Sequence, residues 1–138
     1  MTEPRVGVGV MIVRGRHVLM ARRTSGQRVG WYGWIGGKLE FGETLQACAR
    51  REAREEAGIE IENLRLLCLS SIIVHDQHWI DVEFLADIAA GEPRATAPDE
   101  IDAWAWYPLD ELPAPIFEPA RYALESYRSG RVLNETGL

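Results

Sequence analysis

Short apolar stretches separated by turn residues dominate the hydrophobic pattern of this chain, and this pattern is typical of β-strands. Val6–Val13 is almost wholly apolar or glycine over the length of one strand. Because it lacks polar alternation, it predicts a strand buried on both faces. A turn at His75–Trp79 separates two of the remaining stretches. The other predicted strands are His17–Arg23, Leu64–Val74, Ile80–Ile88 and Ile101–Tyr107.

Two segments carry the residues that begin and end helices. Thr44 is a predicted N-cap and Gly58 a predicted C′ residue, so the pattern predicts a helix between them. Pro119 suits the first turn of a second helix, which Gly130 would end. Strands on both sides of the first helix indicate a mixed α/β arrangement. With 138 residues, 46% of them hydrophobic, we expect one domain over 1–138.

The first predicted helix places three carboxylates close together. Glu52, Glu55 and Glu56 fall within an arc of roughly 100°, with neighbouring Cβ atoms about 5–6 Å apart. Like charges at that spacing destabilise a helix by about 0.2–0.5 kcal/mol per pair. Such a cluster favours a bound cation, and clustered oxygen ligands suit Mg²⁺ or Mn²⁺, which also bind phosphate. The alternative is an ordinary acidic surface in contact with solvent.

The surrounding residues favour the metal interpretation. The arginines of the same helix lie away from the acidic arc, so the acids are segregated from Arg50, Arg51 and Arg54. Before the helix, Gly36, Gly37 and Gly42 flank Glu40 and Glu43. A glycine-rich loop that leads into an acidic helix is typical of a site for phosphate and metal.

These residues also carry a family pattern. The segment 37–59 resembles the Nudix box, which is Gly, five residues, Glu, seven residues, Arg-Glu, an aliphatic residue, any residue, Glu-Glu, any residue, Gly and an aliphatic residue. The matching positions are Gly37, Glu43, Arg51, Glu52, Ala53, Glu55, Glu56, Gly58 and Ile59. So many specified positions are far more specific than a lone Gly-x-Gly-x-x-Gly. The resemblance extends to the strand before the box, the Trp-Tyr-Pro-Leu-Asp-Glu-Leu-Pro segment after it and the last helix. It implies the Nudix-type α/β/α sandwich with a mixed β-sheet.

The resemblance also implies roles for these residues. The metal ligands would be the Gly37 carbonyl and the carboxylates of Glu52, Glu55 and Glu56, with Mg²⁺ as the metal or Mn²⁺ in its place. Arg51 would pair with loop and helix carboxylates, Glu43 included, and thereby orient a ligand of the metal.

The general base is left open between two residues. Family members often take a base from a loop outside the box, and we nominate Glu100, which precedes the Ile101–Tyr107 strand. Glu52 is the alternative, because a carboxylate of the box can also accept the proton.

One position departs from the common form of the family. Many Nudix proteins have proline directly before the double glycine, where this chain has Ile35. Proline would restrict φ to about −65° before a loop that presents a carbonyl to the metal. Ile35 restrains the backbone less, but its β-branch favours extended geometry, so we expect the loop to be retained.

Composition limits the class of partner. A formal charge of −6 argues against a nucleic-acid-binding surface. At an acidic site, triphosphate binding requires a metal to reverse the local charge. The sequence does not open with a charged and apolar leader, and it has no apolar run of about 18 residues, so we expect a cytoplasmic protein without membrane contact.

Cys48 and Cys68 are predicted to be buried thiols. Residues 131–138 would fray or dock on a partner, and a homodimer is left open.

Substrate identity depends on the pocket. Aromatic faces can stack on a nucleobase, contributing about 1–3 kcal/mol per base, although they also serve as core residues. We nominate Trp34 and Phe117 for the base and Arg23 for a phosphate. Similarity favours the MutT-type branch, which hydrolyses nucleoside triphosphates, oxidised or modified ones among them, to a monophosphate and pyrophosphate. The alternatives are hydrolysis of a nucleotide sugar of the ADP-ribose or GDP-mannose type and a sensor that binds nucleotide without turnover.

Overall fold

A computed structural model describes residues 3–136 of the chain and contains ten helices and strands in that range. In chain order they are β1 (Arg5–Arg14), β2 (His17–Arg23), β3 (Tyr32–Gly33), β4 (Ile35–Lys38), α1 (Leu45–Ala57), β5 (Glu60–Val74), β6 (Gln77–Ala90), β7 (Ile101–Pro108), α2 (Glu118–Ser129) and β8 (Leu133–Glu135). Within this range, no helix is long and apolar enough to cross a bilayer.

The strands form a mixed β-sheet. Its hydrogen-bonded order is β3-β2-β1-β6-β5-β8, while β4 also pairs with β1 and β7 with β2. The pairs β1·β6 and β5·β8 are parallel, and the other named pairs are antiparallel. The predicted mixed sheet is therefore confirmed.

The two helices cover opposite faces of this sheet. Alternate residues of β1 point to opposite sides, so Val8, Val10 and Ile12 pack with α1, whereas Met11 packs with α2. A strand covered on both faces buries the side chains of both, and residues 7–12 of β1 are buried while Val6 and Val13 at its ends are half-buried, in agreement with the predicted strand. This is the predicted α/β/α sandwich.

Local signals predicted several boundaries correctly. Strand β2 has the predicted bounds, and α1 begins after its Thr44 cap and ends at Gly58, whose φ is 65°. The predicted turn between β5 and β6 is shorter than expected. It is limited to His75 and Asp76, whose positive φ values of 51° and 61° are those of a mirror-image hairpin turn. Both cysteines are buried, as predicted.

Two predictions were wrong because they depended on distant strands. Gly36 and Gly37 do not lie in a loop. They belong to β4, where they pair with Gly9 and Val8 of β1. The predicted free end at 131–138 instead contains β8, which lies parallel to β5. Neither short segment has an apolar repeat of its own, so the partner strand determines its conformation. Residues 137 and 138 lie outside the described range.

Candidate active site

Helix α1 positions the three clustered carboxylates at different depths. The Thr44 hydroxyl accepts a hydrogen bond from the Ala47 N–H at 3.0 Å, which begins the helix at a defined residue. From that start, Glu52 and Glu56 point inward and are buried, whereas Glu55 is exposed. The predicted acidic arc therefore lies at the boundary between the interior and solvent.

Arg51 connects the acids of the loop with those of the helix. Its Nε donates to Glu43 Oε2 at 2.7 Å, and its Nη1 donates to Glu52 Oε1 at 2.7 Å and to Glu55 Oε2 at 3.2 Å. Its Nη2 donates to the Lys38 carbonyl at 3.2 Å. One guanidinium thus holds three carboxylates and the end of β4. The expected segregation of the arginines from the acidic arc is therefore wrong for Arg51, because residues four apart in a helix are neighbours on its surface. We call Glu43, Arg51, Glu52, Glu55 and Glu56 the box cluster.

Strand β4 brings main-chain groups to the same place. The Gly36 N–H donates to Glu56 Oε1 at 2.9 Å. A Cβ on Gly37 would collide with the Glu52 carboxyl group, so only glycine permits this approach of backbone and carboxylate. Trp104 also contacts the helix end, since its Nε1–H donates to the Glu56 carbonyl at 2.9 Å.

Burial governs the electrostatics of the box cluster. It raises the pKa of Glu52 to about 7, although Arg51 partly opposes the shift. Burial also raises the pKa of Glu56 well above its ordinary range, against the hydrogen bond from Gly36. Glu43 is different, because its hydrogen bonds with Arg51 lower its pKa to about 2. The buried acids therefore resist ionisation unless positive charge is added beside them.

The donor set of the box cluster fits a hard divalent cation. Two carboxylates, those of Glu52 and Glu56, contact the glycine backbone of β4, and Glu55 lies on the same helix, so the cluster offers the oxygen ligands that Mg²⁺ prefers. Between residues 3 and 136, no three acidic, histidine or cysteine side chains already converge as a complete ligand set. Glu52 and Glu55 instead share the guanidinium of Arg51.

Glu100, the nominated base, lies close enough to influence the box cluster. It is exposed in the turn before β7, and its charge raises the pKa of both Glu52 and Glu56. Its main-chain carbonyl accepts a hydrogen bond from the Thr24 N–H at 3.0 Å, which connects this turn to the end of β2.

The three nominated substrate residues line one cavity of about 220 Å³, and Gly36 and Gly37 line it as well. The Arg23 guanidinium lies 3.8 Å from the centroid of the Phe117 ring, so one ring face is already covered by a cation. Trp34 is buried, and its Nε1–H donates to Glu83 Oε1 at 2.8 Å. The cavity therefore extends from the β4 glycines, which contact Glu52 and Glu56 of the box cluster, to these aromatic residues.

Sequence reasoning missed two acids of this cavity. Asp81 and Glu83 line it from β6 and are buried, yet the apolar surroundings suggested only a strand. A signal was present, because acidic residues at alternate positions of a buried strand share one face. Gly7 and Gly9 of β1 alternate in the same way.

Comparison with known families identifies the class of this chain. Residues 3–127 match the model of the NUDIX domain. The chain therefore belongs to the Nudix family, as the box predicted.

The curated relatives include longer proteins. The chain is 36% identical over 123 residues to the NAD-capped RNA hydrolase NudC of Vibrio vulnificus, and 37% identical over 118 residues to that of Edwardsiella ictaluri. Each alignment covers 84% of this chain but 44% of the relative. The chain thus spans less than half the length of these two proteins.

A solved structure matches over nearly the whole chain. The MutT NUDIX hydrolase from Burkholderia pseudomallei has a TM-score of 0.87 and 38% identity, with 90% of this chain and 98% of that chain covered. An ADP-ribose pyrophosphatase from Streptococcus suis has a TM-score of 0.71 at 20% identity, with 97% of this chain and 100% of that chain covered, which shows the fold alone.

Proposed function

We propose that this chain hydrolyses a nucleoside triphosphate to a nucleoside monophosphate and pyrophosphate, with Mg²⁺ or Mn²⁺ as cofactor. The observation that carries the proposal is the position of the box cluster beside a cavity lined by Trp34 and Phe117. A volume of about 220 Å³ is smaller than the about 300–1,000 Å³ of pockets that enclose whole drug-sized ligands. It suits a nucleobase whose phosphates extend towards the box.

The residues of the box cluster have separate tasks in this proposal. Glu52, Glu55, Glu56 and the Gly37 carbonyl would hold the metal. When bound, the metal would neutralise the charge that develops on the phosphoryl oxygens and lower the pKa of water. Arg51 would maintain the orientation of Glu52, to which it donates at 2.7 Å.

Proton transfer requires one carboxylate close to the attacking water. The water oxygen forms a bond to phosphorus, the anhydride oxygen leaves with the pyrophosphate, and the water proton passes to Glu100 or Glu52. Comparing kcat for Glu52→Gln and Glu100→Gln distinguishes the two. A strong loss in Glu52→Gln together with near-normal kinetics in Glu100→Gln would exclude Glu100.

A second candidate rests on the NudC relatives. These relatives are named for hydrolysis of NAD-capped RNA, and the identity of 36% makes the dinucleotide anhydride a second candidate bond for this chain. The formal charge of −6 disfavours a long RNA partner. Nucleotide sugars such as ADP-ribose or GDP-mannose present a similar bond. A sensor without turnover fits less well, because all of the box acids are present.

Product analysis tests the proposal directly. The four dNTPs, oxidised dGTP, ADP-ribose, GDP-mannose and NAD are each incubated with the protein and Mg²⁺, and the products are separated by chromatography. We expect monophosphate and pyrophosphate from at least one triphosphate, with the highest kcat/KM. The proposal fails if ADP-ribose or NAD is cleaved while no triphosphate releases pyrophosphate. A cytoplasmic location and a homodimer remain predictions.

A further inference from the structure

Two acidic side chains lie in the interior of the sheet, away from α1. Asp81 and Glu83 are alternate residues of β6, so both point to the face that α2 covers. They are 5% and 1% exposed. We call them the sheet pair. Buried carboxylates are rare in proteins unless they have partners, so their surroundings need an explanation.

Glycines of β1 make room for the sheet pair. In the parallel β1·β6 register, Gly7 lies opposite Asp81 and Gly9 opposite Glu83. A Cβ on Gly9 would collide with the Glu83 carboxylate, and a Cβ on Gly7 would lie 3.5 Å from Asp81 Oδ1. The alternating glycines therefore leave the carboxylates the space that side chains of β1 would otherwise fill.

The two carboxylates differ in their partners. Glu83 Oε1 accepts a hydrogen bond from Trp34 Nε1 at 2.8 Å. Asp81 Oδ2 has no hydrogen-bond partner in the described part of the chain, and no salt bridge there includes either acid. An ionised carboxylate only accepts hydrogen bonds, so this oxygen lacks a donor.

The missing donor can come from a ligand in the cavity. Asp81 and Glu83 line the same cavity as Gly37, Arg23 and Phe117. Its remaining walls include the apolar side chains of Ile72 and Val74, which suit a flat aromatic ring. A nucleotide with its phosphates at the box cluster would therefore bring its base to Asp81.

We infer that Asp81 selects the nucleobase. Its carboxylate would accept a hydrogen bond from the N1–H of a purine lactam, the group present in guanine and hypoxanthine. The inference rests on the proposed function. Guanine also presents its 2-amino N–H next to N1–H, whereas adenine presents a lone pair at N1. That lone pair would face the Asp81 oxygen without a proton between them, so adenine is disfavoured by repulsion as well as by the lost hydrogen bond.

A comparison of three purine triphosphates measures the contribution of the N1–H group separately from that of the 2-amino group. The kcat/KM values of dGTP, dITP and dATP are measured in Mg²⁺, since dITP has the N1–H but lacks the 2-amino group. We expect dITP to remain within a few-fold of dGTP and dATP to be lower by at least about 10-fold, the usual range for one lost base contact. A wild type that cleaves all three equally overturns the inference.

The Asp81→Asn variant tests the residue. An amide can accept from guanine and donate to adenine N1, so the ratio of dGTP to dATP should fall towards one while the melting temperature is retained. Asp87→Asn is the matched control, because Asp87 lies on the same strand at the surface beside Arg65 and should leave the ratio unchanged. An unchanged ratio in folded Asp81→Asn contradicts the role.

A second variant decides the question if Asp81→Asn fails to fold. The Cβ added in Gly7→Ala has ordinary contacts with Asp81 Oδ1 and Trp79 at 3.5 Å, so the variant should fold while the new methyl group narrows the cavity beside the carboxylate. We expect it to reduce the preference for dGTP over dATP. An unchanged preference in this variant overturns the inference.

Binding without turnover separates this inference from the proposed function. Metal-free protein is titrated with GMP, IMP and AMP, and binding is followed by ligand-observed NMR. A preference for GMP and IMP that Asp81→Asn abolishes supports the inference even if no triphosphate is hydrolysed. Triphosphate turnover without any such preference overturns it and leaves the proposed function intact.

Discussion

The molecule holds two groups of acids with buried members, and the acids are neutralised in different ways. In the box cluster, Arg51 donates hydrogen bonds to Glu43, Glu52 and Glu55. In the sheet pair, the described residues include no salt bridge, and Glu83 instead accepts a hydrogen bond from the neutral Trp34 indole. Burial raises the pKa of Glu52 to about 7 and raises the pKa of Asp81 above its ordinary range, so desolvation acts on both groups.

The difference indicates two kinds of ligand. Carboxylates that already contact a cation at the edge of the fold can exchange part of that contact for a metal ion. Carboxylates in the interior, where burial raises the pKa, carry less charge and suit neutral N–H donors. Similar side chains can thus serve catalysis in one region and base selection in the other, and the predictions below test this separation.

The largest effect is expected from the box cluster itself. Glu55→Gln or Glu56→Gln should reduce kcat by at least about 100-fold for every nucleotide, because each removes a charged metal ligand. The fold should be retained, since the amide oxygen introduced by Glu56→Gln could still accept the Gly36 N–H. Rates are compared with Glu62→Gln, an exposed residue of β5 outside the site. Retention of most Mg²⁺-dependent activity in both variants would remove the metal assignment.

Loss of a contact with the nucleobase should have a smaller effect, and this effect should be confined to binding in the cavity. If the Phe117 ring stacks on the base, Phe117→Ala should weaken nucleotide affinity by about 1–3 kcal/mol and leave Mg²⁺ binding unchanged. Calorimetry with a non-hydrolysable triphosphate measures the affinity. Unchanged affinity with a large drop in melting temperature would mean that Phe117 only packs α2 against the sheet.

Removal of Arg51 should leave the acids of the box cluster without their hydrogen-bonded cation, as the acids of the sheet pair already are. Arg51→Ala leaves Glu43 and Glu52 without their donor, so we expect lower activity and a melting temperature lower by roughly 3–8 °C. Arg54→Ala is the matched control on the same helix, because its partner Glu60 is half exposed and such pairs contribute little. A fully active Arg51→Ala protein contradicts the orienting role.

The smallest effect is a dependence of stability on pH in metal-free protein. The folded pKa of Glu52, about 7, is above the ordinary 4.5, so the folded state keeps a proton that the unfolded chain has released. Stability should therefore fall as pH rises from about 5 to 8, by roughly 5 °C in melting temperature. The low pKa of Glu43 adds no slope there, because Glu43 is ionised in both states over most of this range.

Two measurements sharpen this test. Mg²⁺ should restore more stability at pH 8 than at pH 5, because the metal binds the ionised carboxylates. Glu52→Gln should reduce the pH slope but not abolish it, because burial also raises the pKa of Glu56, Asp81 and Glu83. A melting temperature that rises between pH 5 and 8 would contradict the predicted loss of stability with rising pH.

Local sequence determined much of this protein. Thr44 and Gly58 mark the ends of α1 because a side-chain cap and a left-handed residue act on backbone groups a few positions away. Helical spacing alone placed Glu52, Glu55 and Glu56 on one arc, and the box pattern identified the family. These features depend on residues near each other in the chain, so they can be recognised without a fold.

Only the tertiary structure decided the rest. Gly36 and Gly37 form a strand because β1 pairs with them, and Asp81 enters the cavity because Gly7 lies opposite it in the β1·β6 register. Gly7 and Asp81 are more than seventy positions apart, and a parallel register is set by packing across the whole sheet. Sequence periodicity describes one strand at a time, so it could not show that glycines of one strand make room for acids of another.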